Sequence, residues 1–505
     1  MTKTVSDTGE GGCPPVSLAA TRRGILATGL AGMTLGGCAI LPAKGGPDLR
    51  IVYNRAAQAH GPDRNPIIVI PGILGSRLVD VSTHQTVWGA FDRTAAHPGD
   101  PAGIRKIGLP LEGFIGERPD IGYVMPDGVL DRVVVRLAGI PIELQQYAQI
   151  LATLGAGGYR DPALGLGGID YGDDHFTCFQ FAYDWRRDNA ENAGELKRFM
   201  DERRVYVAEQ YRLRFGVERD PETIKFDVVT HSMGALLFRY FLRYGDQPLV
   251  AGGAAPTLDW KGAGYVERAI LVAPPNAGSA LSLKFLVEGQ DLGRPVLPFY
   301  SSAILGSFPS AYQLLPHGPV AALFADGDTR RPITNLLDPD LWRTRQWGLS
   351  DPGQAGVIAA LLPDVSDPET RTRVAVARQA ALLERARRFN AALDVPAVAP
   401  PGLEAFLVVG DSIATDAAYA VGPDNRLVRM RTAPGDGTVT RASALFDTRT
   451  ESDWTPEVRS SLRFRSTLLL SGEHIRLTRS SVFKDNVLYW LLEEPRDPPG
   501  GTTAI

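Results

Sequence analysis

The run Phe226-Asp-Val-Val-Thr-His-Ser232-Met-Gly234-Ala-Leu-Leu237 constrains this chain more than any other: a short β-branched stretch stops at His231-Ser232 and passes at once into an apolar helical pattern. A strand that turns directly into a helix at a serine exposes the hydroxyl on a sharp corner and aims the first amides of the helix at whatever lies beside it. A serine hydroxyl is a poor nucleophile at neutral pH, so such a corner is useful where a base can reach it. Small residues are wanted two before and two after the serine, because the strand and helix backbones pass close there. Gly234 meets this need and Thr230 meets it poorly. Ser232 is therefore the candidate nucleophile, and a helix N-cap serine is the reading that needs no chemistry.

The rest of the chain supplies a scaffold for such a corner. Short apolar runs at Pro66–Ile70, Phe179–Ala182, Phe226–Thr230, Ala269–Ala273, Glu404–Val409 and Ser466–Leu470 read as strands. Helical patterns occupy about 141–155, 190–215, 233–245, 366–393 and 481–493. That alternation predicts an α/β fold, a mostly parallel sheet flanked by helices, in one domain over 51–495. Two stretches break the rhythm, 76–135 with an exposed-looking Trp88 and 278–400 with Phe299-Tyr300, Phe308-Pro-Ser and Leu314-Leu-Pro316; both read as cap or lid excursions.

The N-terminus reads as an address. Thr21-Arg22-Arg23-Gly24, a glycine-rich apolar run and Leu35-Gly36-Gly37-Cys38 predict an export signal over 1–37, of the twin-arginine type, ending in a lipobox. Cys38 would then be lipidated, 38–50 would be a tether, and 496–505 a flexible tail. The expected location is a membrane-anchored lipoprotein facing the periplasm or cell surface, with Ala39 pointing to the outer membrane; a cleaved soluble protein and an uncleaved anchor are the alternatives. With Cys13 and Cys38 so assigned, Cys178 stands alone and the fold needs no disulfide. A net charge of −4 on 505 residues, without a basic stripe, argues against nucleic acid as partner. No ligand cluster calls for a metal or other cofactor.

Of seven histidines, His60, His84, His97, His175 and His317 lie in loops away from the corner, and His231 adjoins the serine on the opposite strand face. His474 follows the last strand in Leu470-Ser-Gly-Glu-His474, where a base belongs in the chain order serine, acid, histidine. The acid is either Asp411, at the end of a strand, or Asp436, in the glycine-flanked turn Pro434-Gly-Asp-Gly-Thr-Val439. Residue mechanics alone do not separate them.

Val69-Ile-Pro-Gly-Ile-Leu-Gly-Ser-Arg-Leu78, Leu154-Gly-Ala-Gly-Gly-Tyr159, Phe181-Ala-Tyr-Asp-Trp-Arg186, Thr230-His-Ser-Met-Gly234, Ala273-Pro-Pro-Asn-Ala-Gly-Ser279, Gly435-Asp-Gly-Thr-Val439 and Gly472-Glu-His474, in that order, resemble the lecithin:cholesterol acyltransferase family of α/β-hydrolases. The resemblance spans 69–474 and implies the α/β-hydrolase fold with cap or lid insertions. It implies Asp436 as acid over Asp411, and an oxyanion hole from the backbone amides of Ile73 and Met233. Trp185 and Arg186 match the family too, and are candidates for a wall of the site or for a structural ion pair beneath an aromatic ring. Two departures stand out: Thr230 replaces a glycine, and the cysteine pair that ties down a lid in the animal enzymes has no counterpart. The expected activity is O-acyl transfer from a phospholipid or other lipid ester to a hydroxyl-bearing lipid. A phospholipase A or lipase using water, and an inactive lipid-binding lipoprotein, are the alternatives.

Overall fold

The computed structural model describes residues 48–496, except 60, 92–93, 114–123, 131, 138–139, 146, 164–174, 250–251, 294–296, 319–321, 326–331 and 451–452. The export signal, Cys38, His60 and the tail beyond Arg496 lie outside the described residues. The compact unit begins at Leu49. A short helix at Leu49–Val52 replaces the end of the expected tether, and a second follows at Asn54–Gln58. The Tyr53 hydroxyl ties this segment down by donating to the Asp485 carboxylate at 2.9 Å. Arg496 is likewise held, by Asp227 at 2.7 Å, so the expected flexible tail does not start there.

Six strands form the central sheet: β1 (Ile67–Ile70), β2 (Cys178–Gln180), β3 (Phe226–His231), β4 (Val266–Val272), β5 (Glu404–Gly410) and β6 (Ser466–Leu470). Their order is β6-β5-β4-β3-β1-β2, and every pairing is parallel. All residues of β1 and β3 are buried, as parallel strands covered on both faces require. Successive side chains serve two cores. Ile68, Ile70, Val228, Leu271 and Leu407 pack on one face, and Ile67, Val69, Val229, Val272 and Val408 on the other.

The longer helices among the described residues are α1 (Ala148–Ala156), α2 (Asn189–Phe215), α3 (Gly234–Tyr244), α4 (Ala280–Glu288), α5 (Pro368–Asp394) and α6 (Ser481–Leu492). The side chain of Asp188 caps α2 by accepting from the Ala190 and Glu191 amides, and Gly216 ends it in the left-handed region. Asp367 caps α5, with Pro368 at its first position. Helix α1 starts later than its sequence pattern because Ile140–Gln145 pairs as a strand with Arg132–Leu137. A second structure absent from the sequence reading is the antiparallel hairpin Ile413–Val421/Leu427–Gly435, which follows β5. Trp88, expected to be exposed, is 6% exposed because it packs edge-on against Phe91, Trp185 and Tyr300.

Candidate active site

The chain runs from β1 outward to β2 and then returns past β1 to β3, so the sheet changes direction between β1 and β3. Crevices open at the carboxyl ends of strands at such a switch point. Here β1 ends in Pro71-Gly-Ile-Leu-Gly75 and β3 ends at Ser232. The two segments touch: a Cβ on Gly72 would lie 2.8 Å from the Ser232 Cβ, and one on Gly234 would lie 2.3 Å from the Pro71 carbonyl oxygen. Glycine is required at both places for this close approach. Ser232 itself has φ +54°, a left-handed conformation that turns its side chain out of the strand and stores strain at the corner. Its amide is fixed by the Val272 carbonyl at 2.8 Å. Thr230 fits the position where glycine was expected, fully buried, with its hydroxyl unpartnered.

The hairpin after β5 returns the chain so that Asp436 lies against Gly410 at the end of β5, where a glycine Cβ would collide with the Asp436 Cβ at 2.5 Å. His474 follows β6 and donates its backbone amide to the Asp436 carbonyl at 2.9 Å. The side chains then line up. Asp436 Oδ2 lies 2.7 Å from His474 Nδ1, and His474 Nε2 lies 2.9 Å from Ser232 Oγ. The other Asp436 oxygen accepts from the Thr438 and Val439 amides at 3.0 and 2.7 Å. Burial pushes this carboxyl up, but the facing His474 and the two amides more than offset it and hold it below the usual carboxylate range. Asp411 is not part of this group. It lies 3.8 Å from Arg441, with 28% of its side chain exposed.

The expected oxyanion amides flank the serine. Ile73 and Met233 donate to no protein acceptor among the described residues, whereas their neighbours are held from outside. Tyr147 Oη accepts from Gly72 N–H at 2.8 Å, Tyr183 donates to the Pro71 carbonyl at 2.9 Å, Trp88 to the Leu74 carbonyl at 2.8 Å and Trp185 to the Ser76 carbonyl at 3.1 Å. Four aromatic side chains thus clamp the loop and leave the amide between them available. An apolar cavity opens at Ser232 and holds about 710 Å³ of empty space, its mouth included. Ile73 and Trp185 line it, together with Phe285, Leu286, Phe308 and Ala311 from the second excursion. Arg186 is not among the lining residues. Its guanidinium pairs with Asp184 at 2.7 Å and donates to the Lys106 and Ile107 carbonyls, so it braces the strand end from behind.

The sequence reading set His231 aside, and the structure places it against the site. It is buried beside His474, with ring centroids 4.8 Å apart, but its Nε2 faces the His474 carbonyl at 3.2 Å instead of the serine. Burial, then the neighbouring His474, push its pKa down to about 3, so it is neutral at working pH. Its place next to Tyr147 was legible only if the strand alternation was carried through to the other face. Cys178 is buried on β2, which pushes its thiol up and makes it inert. Among the described residues no cluster of three or more His, Cys, Asp or Glu side chains is placed to hold a metal ion.

A parallel sheet with a strained serine corner, a cavity of apolar walls and a histidine–carboxylate pair at the strand ends define an ester-processing enzyme of the α/β-hydrolase type. Residues 157–335 match the lecithin:cholesterol acyltransferase family model. The segment contains Ser232 and ends before Asp436 and His474. No curated protein matches the sequence. Among solved structures, the Tle4–Tli4 complex is similar at 15% identity, covering 85% of this chain and 98% of that chain with a TM-score of 0.48. Lipase 1 from Pelosinus fermentans is similar at 13% identity, covering 85% and 99% with a TM-score of 0.32.

Proposed function

We propose that the protein is a serine-dependent O-acyltransferase acting on lipid esters, with Ser232 as nucleophile, His474 as base and Asp436 as the group that orients the imidazole. The observation that supports this most is the unbroken chain Asp436–His474–Ser232 at 2.7 and 2.9 Å, at the mouth of an apolar cavity. Ser232 Oγ attacks the ester carbonyl while His474 Nε2 takes its proton. The carbonyl oxygen gains negative charge and is met by the Ile73 and Met233 amides. Collapse breaks the ester bond, His474 returns the proton to the departing alcohol, and the acyl chain stays on Ser232 in the cavity. A lipid hydroxyl, deprotonated in turn by His474, takes the acyl group and frees the serine. The donor is a phospholipid or other lipid ester, and the lipobox at Cys38 supports an exported protein tethered to a membrane surface where such lipids lie.

The test is incubation with a phospholipid labelled in one acyl chain, with and without a hydroxyl-bearing lipid, followed by separation of products. Labelled ester of the added lipid is expected from the wild type and none from Ser232→Ala. Free fatty acid as the sole product would replace acyl transfer by hydrolysis. Activity that survives Ser232→Ala would remove the serine from its role. For the tether, Cys38→Ala is expected to release the protein from membranes, and unchanged fractionation overturns it.

A further inference from the structure

We infer that His231 and Tyr147 are positioning residues that couple the two halves of the site, holding the loop that carries the Ile73 amide and the loop that carries His474 at a fixed spacing. This rests on the proposed catalytic roles of Ser232, His474 and Ile73. The path is continuous: Gly72 N–H to Tyr147 Oη at 2.8 Å, Tyr147 Oη to His231 Nδ1 at 3.0 Å, and His231 Nε2 to the His474 carbonyl at 3.2 Å. Donor chemistry dictates every proton. Gly72 N–H can only donate, so the tyrosine oxygen accepts there and spends its own proton on His231 Nδ1. The imidazole must then carry its proton on Nε2, and the His474 carbonyl can only accept it. A charged imidazolium would have a second N–H pointing at the tyrosine oxygen, and the buried site disfavours it.

Tyr147 and His231 are each 3% exposed, and the rings meet edge to face with centroids 5.6 Å apart. The glycines of the β1 loop make room for the pair: a Cβ on Gly75 would sit 2.9 Å from the tyrosine oxygen, and one on Gly72 would sit 3.4 Å from His231 Nδ1. The same tilted contact that sets the rings of His231 and His474 4.8 Å apart seats the base from one side, while Asp436 orients it at Nδ1. The hole and the base come from different strands, β1 and β6, which are not neighbours in the sheet. A rigid link between them keeps the carbonyl oxygen and the serine proton within reach of their partners at the same moment, and small misplacements there are expensive in rate.

The experiment measures kcat and KM on 4-nitrophenyl butyrate, with the melting temperature, for Tyr147→Phe, His231→Phe and His231→Gln, beside Ser232→Ala. Tyr147→Phe and His231→Phe are expected to lower kcat by about ten- to a hundredfold with KM within about twofold. His231→Gln, whose amide nitrogen reaches the Nε2 position and can donate to the His474 carbonyl, is expected to recover at least about fivefold over His231→Phe. A lowered melting temperature with kcat unchanged would make the pair structural and overturn the inference. So would a His231→Gln variant as slow as His231→Phe, and that comparison decides alone if Tyr147→Phe does not fold. Full activity in Ser232→Ala would instead strike the proposed function beneath it.

Discussion

At the scale of single residues the site depends on which carboxylate meets His474. Asp436 has both oxygens engaged, by the imidazole and by two backbone amides, whereas Asp411 faces solvent and Arg441. Asp436→Asn is therefore expected to lower kcat by about 10⁴-fold, because an amide facing Nδ1 favours the wrong tautomer, while Asp411→Asn stays within about threefold. Steady-state ester hydrolysis on both variants checks this, and the opposite ranking would move the role to Asp411. Which carboxylate faces His474 was not legible from strand position, since the hairpin after β5 intervenes; the glycine-flanked turn carries the residue that does. His231 was missed for a related reason. Alternation along β3 correctly turned it from the serine's face, but the opposite face at that level carries Tyr147 and the His474 loop. Its titration has a stability consequence. An unfolded histidine takes up a proton near pH 6.5, and folded His231 does so only near pH 3, so the unfolded state binds more protons between these values and stability falls as pH falls through that window. Stability of the wild type is expected to drop between pH 6.5 and 5 by up to about 1.4 kcal/mol per pH unit more than that of His231→Gln. Urea midpoints at the two pH values read this difference, and parallel slopes would mean that His231 is not held neutral.

At the scale of elements, α3 and α5 matter most, because α3 begins at the serine corner and α5 belongs to the second excursion. Two arginines of α3 grip the C-terminal end of α5: Arg239 donates to the Leu393 carbonyl at 2.9 Å and Arg243 to the Val395 carbonyl at 2.7 Å. Cations suit this end of a helix, where the last carbonyls lack partners. Burial pushes Arg239 down to about 9, yet its acceptors, the Leu393 carbonyl and Asn276 Oδ1, keep it useful as a donor. Farther up, Arg385 of α5 forks onto the Asp188 cap of α2 at 2.8 and 2.9 Å. Arg239→Leu removes one grip and leaves two buried acceptors unpaired, and is expected to cost about 2–3 kcal/mol. A lower guanidinium midpoint with an unchanged slope would register it; an unchanged midpoint would show that α5 is held elsewhere. The central strands and the long helices were legible because β-branched runs and 3.6-residue periodicity persist through them. The 413–435 hairpin was not, since the apolar run Ala417–Val421 of its first strand is mostly alanine, and its second strand Leu427–Gly435 is broken by charged and polar residues. The strand at 140–145 was likewise hidden, because its pairing partner lies just upstream within a stretch that reads as excursion.

At the scale of the whole molecule, the sheet positions the proposed reacting groups and the second excursion supplies much of the container. Ser232, Asp436 and His474 stand at the ends or beyond the ends of β3, β5 and β6, while Phe285, Leu286, Phe308 and Ala311 enclose the space beside them. Among the described residues no helix is long and apolar enough to cross a membrane. Two apolar cores lie on the two faces of the sheet, and the cavity opens beside them. A container lined by side chains selects its occupant by length, because an acyl chain gains about 0.8 kcal/mol for each methylene it buries and loses that gain where the wall meets it. Ala311, on the short helix Pro309–Gln313, lines the cavity with a small side chain. Ala311→Trp is expected to fill part of the space while leaving Ser232, Asp436 and His474 in place. The specificity constant for 4-nitrophenyl palmitate should then fall at least about tenfold, and that for 4-nitrophenyl butyrate should change by less than about threefold, the loss of several buried methylenes being enough for the first figure. Equal losses on both esters would mean that the substitution had disturbed the reacting groups, and no loss on either would mean that the acyl chain lies outside this cavity.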